Sequence, residues 1–184
     1  MINSLYDKFK PWSDKRSIWM ISDTHFDDED CKLMDARWLT PFDHIGIINS
    51  KLKGDTTLIH LGDVGEPSYI EQIRAKYKIL ITGNHDAGVT KYKKYFDEIY
   101  TGPLIIGEKL ILSHEPVDVP WAFNIHGHDH NYSHKGDCYH LNICSNVVHF
   151  FPVNLGQIIK NGLMRDITSI HRITIDEASG INEG

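Results

Sequence analysis

A chain of 184 residues, 41% of them hydrophobic, is long enough to bury one proper core. Its formal net charge of −6 argues against extensive nucleic-acid binding, which works by neutralising phosphates with Lys and Arg. Cys31, Cys138 and Cys144 show no C-x-x-C spacing, so neither a disulfide framework nor a thiolate zinc site is expected, and a reducing cytoplasm is the natural setting. The opening MINSLYDKFK lacks a leader-like apolar stretch, and no run approaches the ~20 apolar residues of a membrane span.

In chain order, Ile18 to Ile21 is a short apolar run and reads as a buried strand. The acidic run Asp27-Asp28-Glu29-Asp30 reads as a solvated helix start, since carboxylates favour a first turn. Phe42 to Lys53, apolar at Phe42, Ile45, Ile48 and Leu52, is an amphipathic helix that Gly54 stops. Thr57 to Leu61 and Lys78 to Thr82 are further strands, with Ser68 to Lys76 and Thr90 to Tyr95 as helices after them. Leu104 to Ser113, with Gly107-Glu108 near its middle, is a hairpin, and Ala122 to Ile125 is a weaker strand. Tyr139 to Cys144 and Val147 to Phe150 suggest more strands, and Asn154 caps a helix through Asn161 that Gly162 ends. The alternation of strand and helix implies a single α/β domain over residues 1–176, and the polar tail 177–184 is expected to fray.

Polar clusters follow the apolar runs: Asp23-Thr24-His25, Gly62-Asp63, Gly83-Asn84-His85-Asp86, Ser113-His114 and Gly127-His128-Asp129-His130. If the runs are strands, every cluster lies on the loop leaving a carboxyl end, where α/β sheets place ligands. Carboxylate oxygen, imidazole nitrogen and amide oxygen are the donors that a pair of divalent cations needs, and one carboxylate can bridge two ions. Such mixed donors accept Mn²⁺, Fe²⁺, Ni²⁺ or Zn²⁺, and Mn²⁺ is the ion expected here. His60 and His126 read as core histidines, and Asp86 and Asp129 as loop-supporting carboxylates.

In this order and at these separations, the clusters resemble those of the calcineurin-like metallophosphoesterase family from about Ile18 to His130. The resemblance implies two facing mixed β-sheets flanked by helices. It assigns Asp23, His25 and His130 to a first metal, Asn84, His114 and His128 to a second, and Asp63 to the bridge. It also implies a phosphate ester hydrolase in which a metal-bridging hydroxide attacks phosphorus. Metal binding makes such a hydroxide available by lowering the pKa of water to roughly 7. Asn84 and His85 would contact the phosphate, and His85 would protonate the leaving alkoxide. Where some members of the family carry a second Asp to orient that histidine, this chain has Glu66, which takes the supporting role by default.

Arg37, on the longest loop from Phe26 to Pro41, has a fork suited to phosphate oxygens. A small phosphate monoester or diester is the expected substrate. An inactive protein-binding scaffold and a nuclease with the same metal site are the alternatives.

Overall fold

The computed structural model describes residues 3–4 and 18–168, so the tail expected at 177–184 lies outside the described residues. Its strands are β1 (Asn3–Ser4), β2 (Ile18–Ile21), β3 (Thr57–His60), β4 (Tyr77–Ile81), β5 (Glu98–Tyr100), β6 (Leu104–Gly107), β7 (Leu110–Leu112), β8 (Phe123–His126), β9 (His140–Asn142) and β10 (Val153–Asn154). Three α-helices accompany them: α1 (Asp30–Met34), α2 (Pro41–Lys51) and α3 (Leu155–Lys160).

The strands form two five-stranded sheets. One runs β10-β2-β3-β4-β5, parallel throughout except for the antiparallel edge strand β10. The other runs β1-β6-β7-β8-β9, with the β6–β7 hairpin as its antiparallel pair. Both are mixed sheets, as expected.

Alternation along the first sheet explains why its strands read as continuous apolar runs. Met20, Ile59, Ile79 and Ile81 point into the core between the sheets, where Leu104, Leu110, Leu112, Phe123 and Ile125 of the second sheet meet them. Ile21, Leu58 and Leu80 point the other way, onto Ile45 and Ile48 of α2 and onto Ile70 and Tyr92. Each such fully buried aliphatic side chain is worth ~1.5–3 kcal/mol. A parallel bridge between Ser22 and Cys144 ties the two sheets just beyond β2. Ser145 strengthens that tie, since both its backbone N–H and its hydroxyl donate to the Ser22 carbonyl, at 3.0 and 2.6 Å.

Several elements differ from expectation. The helix expected at Ser68 to Lys76 is a 3₁₀ segment, Pro67–Gln72, because Lys76 and Tyr77 are drawn off to donate to the Thr56 carbonyl and open β4. Thr90 to Tyr95 is likewise short, a 3₁₀ turn over Val89–Tyr92 whose Tyr92 is fully buried. Val147 to Phe150 is a run of turns, not a strand: Val148 donates back to Cys144, and His149 and Phe150 have φ of 55° and 64°. Strands β5 and β10 were not expected, being three and two residues long with no alternation to reveal them.

The helix expected from Phe42 to Lys53 starts one residue earlier at Pro41, where Thr40 Oγ1 accepts from Asp43 N, and it stops at Lys51. Asn154 caps α3 by accepting from Gln157 N at 3.0 Å. No helix among the described residues is long and apolar enough to cross a membrane.

Candidate metal centre

Strands β2, β3, β4, β7 and β8 end two or three residues before Asp23, Asp63, Asn84, His114 and His128 respectively, so all five polar clusters gather at one edge. The loops are locked together by backbone bonds: Asp23 N donates to Gly62 O at 2.9 Å, and His25 N donates to Asp63 O at 3.0 Å. Asp23, His25, Asp63 and His128 adopt left-handed φ of 54°, 40°, 54° and 67°. Such conformations cost roughly 1–3 kcal/mol each and persist where the surroundings over-determine them, typically at functional sites.

Glycine before a ligand is a packing requirement here. A Cβ on Gly127 would stand 1.9 Å from Ser22 Oγ and 2.2 Å from Asp23 Oδ2. One on Gly62, whose φ is 99°, would stand 2.7 Å from His114 Nδ1.

Asp86 clamps two of these loops. It is 5% exposed, and its Oδ2 accepts from Asp63 N and Gly83 N, both at 2.8 Å. Its Oδ1 accepts from Val64 N at 3.0 Å and from the Tyr92 hydroxyl at 2.8 Å. Asp86→Asn turns one acceptor into a donor facing these donors. It is expected to cost about 1–3 kcal/mol of stability, seen as a lower thermal midpoint.

The proposed ligands converge. His130 Nε2 lies 3.5 Å from Asp23 Oδ1, and His25 Nε2 lies 3.7 Å from Asp63 Oδ2. Asp63 Oδ2 is also 3.3 Å from His114 Nε2. His128 Nδ1 is 3.0 Å from Asn84 Oδ1 and 3.2 Å from His114 Nε2. Two groups, Asp23 with His25 and His130, and Asp23 with Asp63 and His114, each bring their ligand atoms within 4.8 Å of one another.

The donor chemistry fits cations. His114 Nδ1 faces the Leu61 carbonyl at 2.8 Å and must carry a proton there. In the neutral ring, Nε2 is then a bare lone pair, yet it faces Asn84 Oδ1 at 2.9 Å and Asp63 Oδ2, both acceptors. A positive centre, whether a proton or a metal ion, reconciles that set. His25 Nε2 is buried with no hydrogen-bond partner and faces Asp63 Oδ2 at 3.7 Å, where a cation could sit.

Without metal, a proton takes that place. Burial works against a charged His114, but the Asp63 hydrogen bond and the charges of Asp23 and Asp63 hold it up at about 9. Burial likewise works to raise the Asp63 carboxyl, but His114, the His85 N–H and His25 bring it down to about 2. A metal ion held by His114 would have to displace that proton, so apparent affinity is expected to rise roughly tenfold per pH unit between pH 7 and 9. Calorimetric titration with Mn²⁺ at three pH values measures this slope.

Outer contacts orient the ligands, and two of them were not foreseen. Asp28 Oδ2 accepts from His25 Nδ1 at 3.1 Å, which turns Nε2 inward. Asn146 accepts from His130 Nδ1 at 3.2 Å and donates to the His130 carbonyl at 2.8 Å. The acidic run read as a solvated helix start therefore lends one carboxylate to the site. Only the i, i+3 spacing of His25 and Asp28 could have signalled it.

His85 is exposed, its N–H donates to Asp63 Oδ1 at 2.9 Å, and its ring packs edge-on to His25 at 5.4 Å. Glu66 does not support it. The Glu66 carboxylate accepts from Ser68 N at 3.0 Å, a bond that lowers its pKa and caps the 3₁₀ segment beginning at Pro67. Arg37 is not a phosphate clamp either. Both arms of its fork bond Asp35 at 2.9 Å, and its guanidinium lies 4.2 Å over the Tyr132 ring. The sequence places a carboxylate two residues away, and that local partner wins the fork.

His60 is fully buried, with Nε2 2.9 Å from Thr24 Oγ1 and Nδ1 accepting from Gly62 N. His126 is buried beneath the site, with Nδ1 2.8 Å from the Gly127 carbonyl. Asp129 pairs with His134 at 2.6 Å and braces its loop. All three cysteines are free, Cys31 and Cys144 buried and Cys138 exposed.

No family model matches the sequence, and no curated protein does. Among solved structures, the fold is similar to AQ665 of Aquifex aeolicus, a protein of unknown function, at 26% identity and a TM-score of 0.65 over 78% of this chain and 98% of that chain. A looser likeness to the Pseudomonas putida nuclease MPE has 20% identity and a TM-score of 0.43 over 64% of this chain and 62% of that chain, too low to carry an argument. The chain thus has an α/β fold of two mixed sheets, similar to that of AQ665, with buried His and Asp clusters that could hold metal ions.

Proposed function

We propose that the chain is a metal-dependent phosphoric ester hydrolase acting on small phosphate esters. The observation that carries this reading is the meeting of His114 Nε2, Asn84 Oδ1 and Asp63 Oδ2, three acceptors within 3.3 Å of the same nitrogen or at it, beside the partnerless His25 Nε2. Asp23, His25 and His130 would hold one divalent ion, Asn84, His114 and His128 a second, and Asp63 would serve both. Bound there, the ions would supply Lewis-acid activation of water and neutralise charge on the phosphoryl oxygens.

The chain's own groups do the rest. Asp23 and Asp63 return only two negative charges, and Asn84 adds none, so the loaded site keeps a positive balance that attracts a phosphate. The Asn84 amide N–H₂ donates to a phosphoryl oxygen while its oxygen faces His114 and His128. His85 hands its imidazolium proton to the leaving alkoxide oxygen, a step typically worth ~10² to 10⁴ in rate. Mn²⁺ suits the mixed nitrogen and oxygen donors, and a reducing cytoplasm suits the free thiols.

Hydrolysis of p-nitrophenyl phosphate and bis-p-nitrophenyl phosphate with added Mn²⁺ tests the reading. Turnover of at least one ester, lost on chelation, is expected. No turnover of either with Mn²⁺, Fe²⁺, Ni²⁺ or Zn²⁺ would favour an inactive scaffold instead.

A further inference from the structure

Two clefts open beside the ligand cluster, and they share no lining residue. One, of about 310 Å³, is bounded by Thr82, Asn84, Thr101, Pro103, His114 and Val117. The other, of about 540 Å³, is bounded by His25, Asp27, Glu29, Lys32, Trp38 and Leu39 among others. Asn84 and His114 belong to one proposed ion, His25 to the other, and Asp63 stands between, 3.3 Å from His114 Nε2 and 3.7 Å from His25 Nε2. The clefts therefore leave the centre on either side of the bridging carboxylate.

Both volumes fall in the range of ~300–1,000 Å³ that small organic ligands occupy. A monoester has one organic group and would fill only one of them. A diester has two. The smaller cleft mixes the apolar Ile81, Pro103 and Val117 with the Thr82 and Thr101 hydroxyls and one acidic residue, Glu115, which disfavours an anionic arm. That lining suits an uncharged group with hydroxyl or ring edges. The larger cleft sets Asp27, Asp28 and Glu29 against Lys32 alone, so a polyanionic strand is repelled from it.

We propose that the substrate is a small phosphodiester whose two organic arms occupy these clefts, an uncharged arm beside Asn84 and His114 and an uncharged or cationic arm beside His25 and Trp38. The inference rests on the phosphoesterase reading above and narrows it to diesters that are not nucleic acid. Water attacks phosphorus, one P–O bond to an arm breaks, and that arm leaves as an alcohol after taking a proton. The phosphomonoester of the other arm is the second product.

Filling each cleft separately tests this, using the exposed residues Thr101 and Lys32, neither of which belongs to the ligand set. In Mn²⁺-loaded full-length protein, Thr101→Trp and Lys32→Trp are each expected to lower kcat/KM for bis-p-nitrophenyl phosphate at least ~10-fold, the scale on which pocket misfits are felt. At least one of the two is expected to leave p-nitrophenyl phosphate hydrolysis nearly unchanged, because a monoester leaves one cleft vacant. Thermal midpoint and Mn²⁺ stoichiometry serve as controls, and Tyr replaces Trp where the larger ring prevents folding. Equal losses on both esters, no loss on either, or cleavage of a single-stranded oligonucleotide at a rate matching the small diester overturns the proposal. Absence of both Mn²⁺ binding and ester turnover in the parent protein is a different result, which removes the phosphoesterase reading and this inference with it.

Discussion

Asp63→Asn is expected to abolish measurable hydrolysis of either nitrophenyl ester and to cut metal content below two ions per chain. The carboxylate faces both histidine sets, at 3.3 Å from His114 Nε2 and 3.7 Å from His25 Nε2, so its charge acts on both proposed ions. Losing an outer partner of a metal ligand typically costs ~10- to 100-fold in affinity or activity, and losing a shared ligand should exceed that. The substitution keeps size and shape, and the His85 N–H can still donate to the amide oxygen where it now meets Asp63 Oδ1. The variant should therefore fold. Metal analysis of dialysed protein, circular dichroism and kcat/KM together check the expectation. Full Mn²⁺ loading with wild-type turnover would remove Asp63 from the centre.

The second large effect concerns acid stability and a residue outside the site. His44 on α2 is 1% exposed, wedged between the rings of Phe26 and Phe150, with its Nε2 unpartnered. Burial, helped by nearby His60, pushes its pKa down to about 3. His60, fully enclosed, is pushed down to about 4, chiefly by burial. An unfolded chain takes up these protons below pH ~6.5 while the folded one does not, so stability falls as pH falls from there toward 4. At pH 5 each histidine should withdraw about 2 kcal/mol, a large share of the ~5–15 kcal/mol that holds a typical domain folded.

His114 acts in the opposite sense in metal-free protein. Its folded pKa of about 9 lies above the unfolded value, so its contribution is full below pH ~6.5 and is lost as pH rises through 9. His44→Leu removes an orphaned polar atom and one proton from the acid slope. The variant should gain about 1–3 kcal/mol and lose roughly half of the decline between pH 6.5 and 5. Urea unfolding at pH 7, 6 and 5 measures both. An unchanged slope in the variant would mean that His44 does not titrate on unfolding.

Metal chemistry narrows the choice of residue so far that the candidate donors, which the fold brings to one edge, were legible in the letters. Divalent ions need oxygen and imidazole donors, and apolar runs such as Ile18 to Ile21 and Lys78 to Thr82 mark where strands end and donors begin. The glycines before Asp63, Asn84 and His128 could be read as turns, and they prove to be points where no Cβ fits. The two-sheet α/β architecture followed from the resemblance those motifs carry.

What the sequence by itself determined is therefore the list of donors, their order and the strands that carry them, because periodicity and donor chemistry are local properties. Only the tertiary structure decided the partners. Asp28 turns inward to His25 although its neighbours are solvated, Asn146 reaches His130 from 16 positions away, and Asp86 ties down Asp63 across 23. Arg37 and Glu66 had the right chemistry for the site, but nearer partners, Asp35 and the Ser68 N–H, hold them elsewhere. A hydrogen bond depends on distance and direction in space, and neither is encoded in residue type or sequence separation.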